Sequence, residues 1–408
     1  MLLDLPNTEP MGKLADRANQ ISESQTIAMA RKSRELRAQG IDIISLSLGE
    51  PDFPTPTTIK EAAKKAIDDN FSYYTHVSGY VELREAICHK FKRDNHLNYV
   101  PDEIVVSNGA KQSIANAVMC LVNPGDEVII PAPFWVSYLE ILKLAGGVPV
   151  IINAGIENDF KITASQLAEA ITPKTKMIMI STPCNPTGSV YSKVELKALA
   201  EVVAKHNELY IMSDEIYEHI NFCGGHESFA QFDFIRDRVI TINGVSKGFA
   251  MTGWRGGILA APKWIAQACD KMQGQFTSAA SSITQKAMHR AMELDYETYI
   301  RPMRDAFLRR RDLVLNLMKD IPGMKTNVPQ GAFYVYPEIT YYFGKSAHGM
   351  TIHNGTDLSM YLLEHAHVAI VPGAAFGEDK FIRFSYATSD EKLTEALNRM
   401  KKALADLK

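Results

Sequence analysis

Three absences narrow the reading of this chain. No apolar run approaches the roughly 18 to 20 residues that span a bilayer, so no membrane segment is expected. The opening residues, Met1-Leu2-Leu3-Asp4-Leu5-Pro6, lack the basic-then-apolar order of a secretory signal, and export is not expected. No sign of charge dominates: the formal net charge is −3 and the pI about 6.4. Such a balance favours neither nucleic acid nor an anionic membrane as a partner. The five cysteines, Cys88, Cys120, Cys184, Cys223 and Cys269, are scattered and odd in number, with no CxxC spacing. Neither a zinc site nor a disulfide framework is suggested, no metal is implied, and a reducing cytoplasm fits best. What is present is a chain of 408 residues, 46% hydrophobic and 22% charged. That suffices for a large core and for two domains.

The apolar pattern sets the organisation. A helix is expected over 19–39 and a short strand over 41–48, followed by a rigid turn at 49–54. Apolar runs then recur at 104–107, 128–131, 148–152, 177–181, 209–213, 239–243 and 257–261, with helical stretches such as 112–122 and 193–206 between them. Near-continuous apolar strands alternating with helices predict an α/β fold, with a mostly parallel seven-stranded sheet covered on both faces. Beyond Lys263 the character changes. A long helix over 299–319 is followed by strands at 331–336 and 381–386 and helices at 356–366 and 389–407, a smaller α+β unit. The run Arg309-Arg310-Arg311 reads as a solvated helix face. The expected division is a large domain, 52–290, and a small one built from 1–51 and 291–408.

In open α/β sheets, ligands sit at the carboxyl ends of the strands, so the polar residues there matter most. The first run leads into Asn108-Gly109-Ala110-Lys111 and a helix. Small residues at a helix start let N–H groups approach a phosphate, although the same sequence also makes an ordinary turn. The second run leads to Trp135, either a cover for a flat ring or a core aromatic. Asn185 lies between two prolines, and its amide can donate to a phenolate-like oxygen. Asp214 ends an apolar strand, where a carboxylate costs several kcal/mol unless paired, or else serves as a helix or loop cap. Tyr217 follows three residues on. Arg383 stands in Phe-Ile-Arg-Phe-Ser-Tyr, a setting that asks for a substrate carboxylate or an internal salt bridge.

Lys247 is the most informative residue. It lies in Gly244-Val245-Ser246-Lys247-Gly248, just past an apolar strand, with Arg255 eight residues further on. A Lys among small residues at such a place is poorly suited to be a solvated charge. Its amine can form a Schiff base with a carbonyl once the neutral form is accessible. If the carbonyl is the aldehyde of pyridoxal 5'-phosphate, three further parts are needed. They are an anion site, a carboxylate for the pyridinium nitrogen and an aromatic cover. The strand-end residues can supply all three, and Arg255 is a good bidentate phosphate partner.

The chain resembles the fold-type I pyridoxal-phosphate enzymes, and most closely the aspartate aminotransferases of class I, subgroup Iβ. The likeness runs from about residue 20 to the C-terminus. It is carried by SLGEPDF (47–53), YYTHVSGYVELREA (73–86), NGAKQ (108–112), PFWVSY (133–138), CNPTG (184–188), SDEIYE (213–218), SKGFAMTGWR (246–255) and RFSYATS (383–389). The resemblance implies that Lys247 holds the cofactor and shuttles the α-proton, and that Asp214 pairs with the pyridine nitrogen. It implies that Asn185 and Tyr217 bind the ring oxygen, that Trp135 covers the ring, and that Ala110, Lys111, Ser246 and Arg255 surround the phosphate. Tyr74 would reach the phosphate of a neighbouring subunit, making a homodimer part of the site. Arg383 and the backbone of Gly49 would grip the substrate carboxylate, with Trp135 and Asn185 beside it. Lys111, helped by Ser24 and Thr26, would recognise a second carboxylate, favouring aspartate and glutamate with a 2-oxo acid as co-substrate. Prephenate, aromatic amino acids, alanine and kynurenine are the alternatives, and lip residues near 275–282 are expected to choose among them. One departure stands out: many relatives have a hydroxyl residue at the position of Gly244.

Two rival readings are weaker. Gly244-Val245-Ser246-Lys247-Gly248 satisfies GxSxG, the elbow of serine hydrolases, and five histidines follow it. No HGGG-type oxyanion loop accompanies it, and Phe249-Ala250-Met251-Thr252-Gly253 is a poor helix opening. A small-molecule sensor would need a read-out element, and no helix-turn-helix or basic appendage is evident. Gly344-Lys345-Ser346 lacks the upstream glycine of a phosphate-binding P-loop.

Overall fold

The computed structural model describes residues 14–23 and 25–408. Seven strands form the main sheet: β1 Ile104–Asn108, β2 Glu127–Ala132, β3 Val148–Asn153, β4 Thr175–Ser181, β5 Tyr210–Asp214, β6 Val239–Gly244 and β7 Gly256–Ala260. Their spatial order is β1-β7-β6-β5-β4-β2-β3. Strand β7 runs antiparallel to both neighbours, and every other pair is parallel.

Alternation along each strand divides the side chains between two cores. Ile104, Val106, Ile129, Ile178, Ile180 and Ile211 pack on one face, with helices Val81–Asn95, Lys193–Val203 and Ser282–Met292. Val105, Val128, Ile130, Met177, Met179 and Met212 pack on the other, with helices Ala110–Leu121, Ser137–Ala145 and Lys263–Phe276. Both faces are covered, so the strands can be apolar throughout. A further core gathers Ile44, Leu46 and much of 303–407 around an antiparallel sheet of Val371–Pro372, Ile382–Ser385 and Tyr334–Val335. Ile216, Tyr217 and Ile220 belong to that core, although they follow β5 directly. The loop after β5 therefore joins the two units.

Several expectations need correction. The helix expected over 19–39 is two helices, Asp16–Gln20 and Gln25–Ala38, with an extended stretch at 21–23 between them. The strand expected over 41–48 is only Ile44–Ser45, paired in parallel with Val368–Ala369. The strand expected over 331–336 shortens to Tyr334–Val335, because Ala332 takes a left-handed φ of 56°. The arginine run is not uniformly solvated. Arg310 is buried, donates to Asp52 at 2.7 and 2.9 Å and to Asp390 at 3.3 Å, and lies 5.1 Å from the Phe53 ring centroid. Arg309 stays exposed and reaches Asp390 at 3.2 Å. Ser24 lies outside the described residues.

Candidate active site

The carboxyl ends of β1, β2, β4, β5 and β6 open on one cavity of about 400 Å³. Since β7 runs the opposite way, its first residues lie at that same edge, and Arg255 just before it reaches the site. The cavity is lined by Gly49, Ala110, Lys111, Trp135, Asn185, Asp214, Tyr217, Ser246, Lys247, Arg255 and Arg383. Of the residues expected to hold the cofactor and the substrate α-carboxylate, every one lines it except Tyr74. Tyr74 is 98% exposed on the segment 71–80 and does not line this cavity. The expected lip at 275–282 does not line the cavity, and Phe276 is exposed. Thr26 and Ile27 line it instead.

The amine of Lys247 donates to the backbone carbonyl of Gly49. Burial lowers its pKa to about 8, opposed by the charge of Glu50. A buried amine near that value has an accessible neutral form at physiological pH. Burial also pushes Asp214 up to about 6. Its carboxylate is fixed from two sides: the Tyr138 hydroxyl donates at 2.7 Å and the Ile216 N–H at 3.3 Å. Tyr217 places its hydroxyl 2.7 Å from that of Tyr334.

Arg383 is 2% exposed. It donates to Asn185 Oδ1 at 3.0 Å and to the Ser47 carbonyl at 2.6 Å, while its Nε has no partner among the described residues. Its ring neighbours are Tyr334 at 4.5 Å and Phe376 at 4.9 Å from the guanidinium carbon. None of its partners among the described residues is a carboxylate, so the internal salt-bridge reading fails. A buried cation without a counter-charge is costly, and an anion from outside answers that cost.

A second anion cradle lies at the start of helix Ala110–Leu121. Gly109 caps it with φ 86°, and a Cβ there would overlap the Arg255 guanidinium. Arg255 is held by the carbonyls of Thr252 at 2.9 Å and Asn108 at 3.3 Å. The Gln112 N–H turns back to the Gly109 carbonyl at 3.0 Å, which leaves the N–H groups of Ala110 and Lys111 at the open end of the helix, and the dipole adds to them. Lys111 stands 5.0 Å from the Trp135 ring centroid, and burial together with Arg255 lowers its pKa. Four cations, Lys111, Lys247, Arg255 and Arg383, meet two carboxylates, Glu50 and Asp214, so the cavity favours anions.

Tyr138 and Tyr334 are functional neighbours that sequence reasoning missed. Tyr138 lies three residues beyond Trp135, inside the PFWVSY segment, with its N–H bonded to the Trp135 carbonyl at 3.0 Å, and that spacing is the signal that could have found it. Tyr334 alternates with buried Phe333 and Val335 and resembles any core aromatic.

With this geometry in place, comparison with known proteins is decisive. The profile of "Aminotransferase class I and II" matches residues 41–400. The chain is 46% identical over 407 residues to the aspartate/prephenate aminotransferase of Cereibacter sphaeroides, covering 97% of this chain and 100% of that one. It is 46% identical over 399 residues to the bifunctional aspartate aminotransferase and glutamate/aspartate-prephenate aminotransferase of Petunia hybrida, covering 97% and 83%. The chain belongs to the class I and II aminotransferases. The aspartate aminotransferase of Rhizobium meliloti superposes with a TM-score of 0.94 at 41% identity, covering 97% of this chain and all of that one. That of Thermus thermophilus with maleate gives 0.91 at 38%, covering 96% and 100%.

Class I aminotransferases use pyridoxal 5'-phosphate, and the donor set fits it. There is an amine poised for a carbonyl, a buried carboxylate for a ring nitrogen and a cradle of N–H groups with Arg255 for a phosphate. At Gly244, a Cβ would lie 2.7 Å from the Gly256 carbonyl oxygen, so the hydroxyl side chain whose absence the sequence showed has no ready space there.

Proposed function

We propose that the chain moves the amino group of L-aspartate, or of another acidic amino acid, to 2-oxoglutarate in two half-reactions of ping-pong type. The observation that carries this reading is Arg383, a buried cation with no carboxylate partner among the described residues, in one cavity with Lys111 and Lys247. Arg383 and Lys111, neither with a carboxylate partner among the described residues, suit a substrate with two carboxylates. The names of the relatives and the maleate in the Thermus thermophilus structure point the same way.

When bound, pyridoxal phosphate supplies the electron sink and carries the amino group between substrates. In the proposed assignment, Lys247 holds it and takes the proton from the substrate α-carbon as a general base. Asp214 keeps the ring nitrogen protonated, Asn185 and Tyr217 bind the ring oxygen, and Trp135 covers the ring. The Ala110 turn, Ser246 and Arg255 take the phosphate. Arg383 and the Gly49 backbone take the α-carboxylate, and Lys111, with Thr26 nearby, takes the distal one.

Tyr74 completes the phosphate site of a second copy, so the working unit is a homodimer with shared sites. The exposure of Tyr73 at 83% and Tyr74 at 98% supports this. Residues 52–290 and the remainder act as two bodies that close on substrate, in keeping with their separate cores. A cytoplasmic location belongs to the same reading and rests on the cysteine pattern.

A panel of amino donors, each followed by the absorbance change of the bound cofactor, tests the assignment. Aspartate and glutamate should convert it rapidly and hydrophobic amino acids slowly. No conversion by any acidic donor would refute it. A second reading, prephenate as amino acceptor, is favoured by the names of two relatives, and the same assay with prephenate decides it.

A further inference from the structure

We infer that Tyr334 is a positioning residue that links the arginine for the substrate carboxylate to the tyrosine for the cofactor ring oxygen. The inference rests on the function proposed above and adds a residue to it.

Tyr334 is 1% exposed, on a strand beside the one that carries Arg383. Its ring lies over the guanidinium at 4.5 Å, a cation–π distance. Its hydroxyl lies 2.7 Å from that of Tyr217, and the two rings meet edge to face at 5.9 Å. The contact crosses from the short strand Tyr334–Val335 to the loop after β5, which also bears Asp214. A Cβ at position 49 would overlap the Tyr334 hydroxyl. Gly49 is therefore small for the sake of Tyr334, while its carbonyl accepts from Lys247. One buried phenol thus touches the residues assigned to the carboxylate and to the ring oxygen, and packs against Gly49, whose carbonyl accepts from the Lys247 amine.

The direction of the hydrogen bond follows from the proton count. A phenol has one proton to donate. Tyr217 must give its proton to the ring oxygen, so Tyr334 donates to Tyr217. Donation strengthens Tyr217 as a donor in turn, because chains of hydrogen bonds polarise one another. Tyr334 also holds Arg383 in place through its ring, so occupation of Arg383 and the orientation of Tyr217 are set by one side chain.

Tyr334→Phe removes the hydroxyl and keeps the ring. In the holoenzyme, the pH at which the visible absorbance of the bound cofactor titrates should rise by about half a unit to one unit, because the ring-oxygen anion loses support. Turnover with aspartate should fall about tenfold, as for one lost hydrogen bond in a charged network, with KM changed less than about threefold. Tyr334→Leu, which also uncovers Arg383, should raise KM in addition. In a Tyr217→Phe background, adding Tyr334→Phe should leave titration and turnover unmoved, as expected of coupled residues. An unchanged titration in Tyr334→Phe, or additive effects in the double variant, would overturn the inference. A wild-type enzyme that exchanges no amino group with acidic donors would sink the proposed function instead, so the two failures are distinguishable.

Discussion

The amine of Lys247 donates to the carbonyl of Gly49, a residue 198 positions earlier in the chain. The turn 49–54 is thereby tied to the end of β6. The amine is buried and its pKa is lowered to about 8, from 10.5 in an open environment. Across that window the unfolded chain binds the extra proton, so this residue makes the apoprotein more stable as pH rises from about 8 to 10.5. Below pH 8 the buried charge carries its full cost.

Lys247→Met should therefore stabilise the apoprotein at pH 7, by on the order of 3 kcal/mol. The gain should shrink above pH 8 and vanish near pH 10.5. Denaturant melts of both apoproteins across this range check it, and a difference that stays flat with pH would contradict the lowered pKa.

Arg383→Leu removes a guanidinium that donates to Asn185 and Ser47. The KM for aspartate should rise roughly 100-fold, the scale of hydrogen bonds to a charged group. Lys111→Ala should raise the KM for aspartate and leave that for alanine nearly unchanged. Steady-state kinetics with both donors decides; equal effects on the two would remove Lys111 from recognition of the distal carboxylate.

Tyr74 does not line the cavity of its own chain. Tyr74→Phe should weaken cofactor retention about tenfold through loss of one phosphate hydrogen bond. Mixed dimers of Tyr74→Phe and Lys247→Ala subunits should then hold one defective site with both lesions and one intact site. Activity of the mixture no higher than that of either parent would contradict a shared site.

Arg310 joins Asp52, in the turn 49–54, to Asp390, at the start of the last helix. Arg310→Met should lower stability by about 1 kcal/mol, because Arg310 is buried while its two carboxylate partners stay partly exposed. A thermal melt that barely moves would show the triad to be incidental.

The strand ends were legible because parallel strands buried on both faces are nearly all apolar. A lone polar residue such as Asp214 or Asn185 then stands out where the strand stops. Arg255 was legible only with Lys247 as a reference, since β7 runs backwards. Tyr138 and Tyr334 were not legible, because a tyrosine in an apolar segment looks the same whether its hydroxyl meets a backbone carbonyl or a functional carboxylate. Arg310 was misread because its partner Asp52 lies 258 residues away, and a run of three arginines gives no cue about which one turns inward. The short strands near 44 and 334 were overdrawn, since a continuous apolar pattern carries no mark of where pairing ends.

The central claim is that Lys247 holds the cofactor. Reduction of the holoenzyme with borohydride, followed by peptide mass mapping, tests it directly. The pyridoxyl mass should appear on the peptide that contains Lys247 and nowhere else in stoichiometric amount. A stoichiometric adduct on Lys111 or any other lysine, or none at all, would contradict the account.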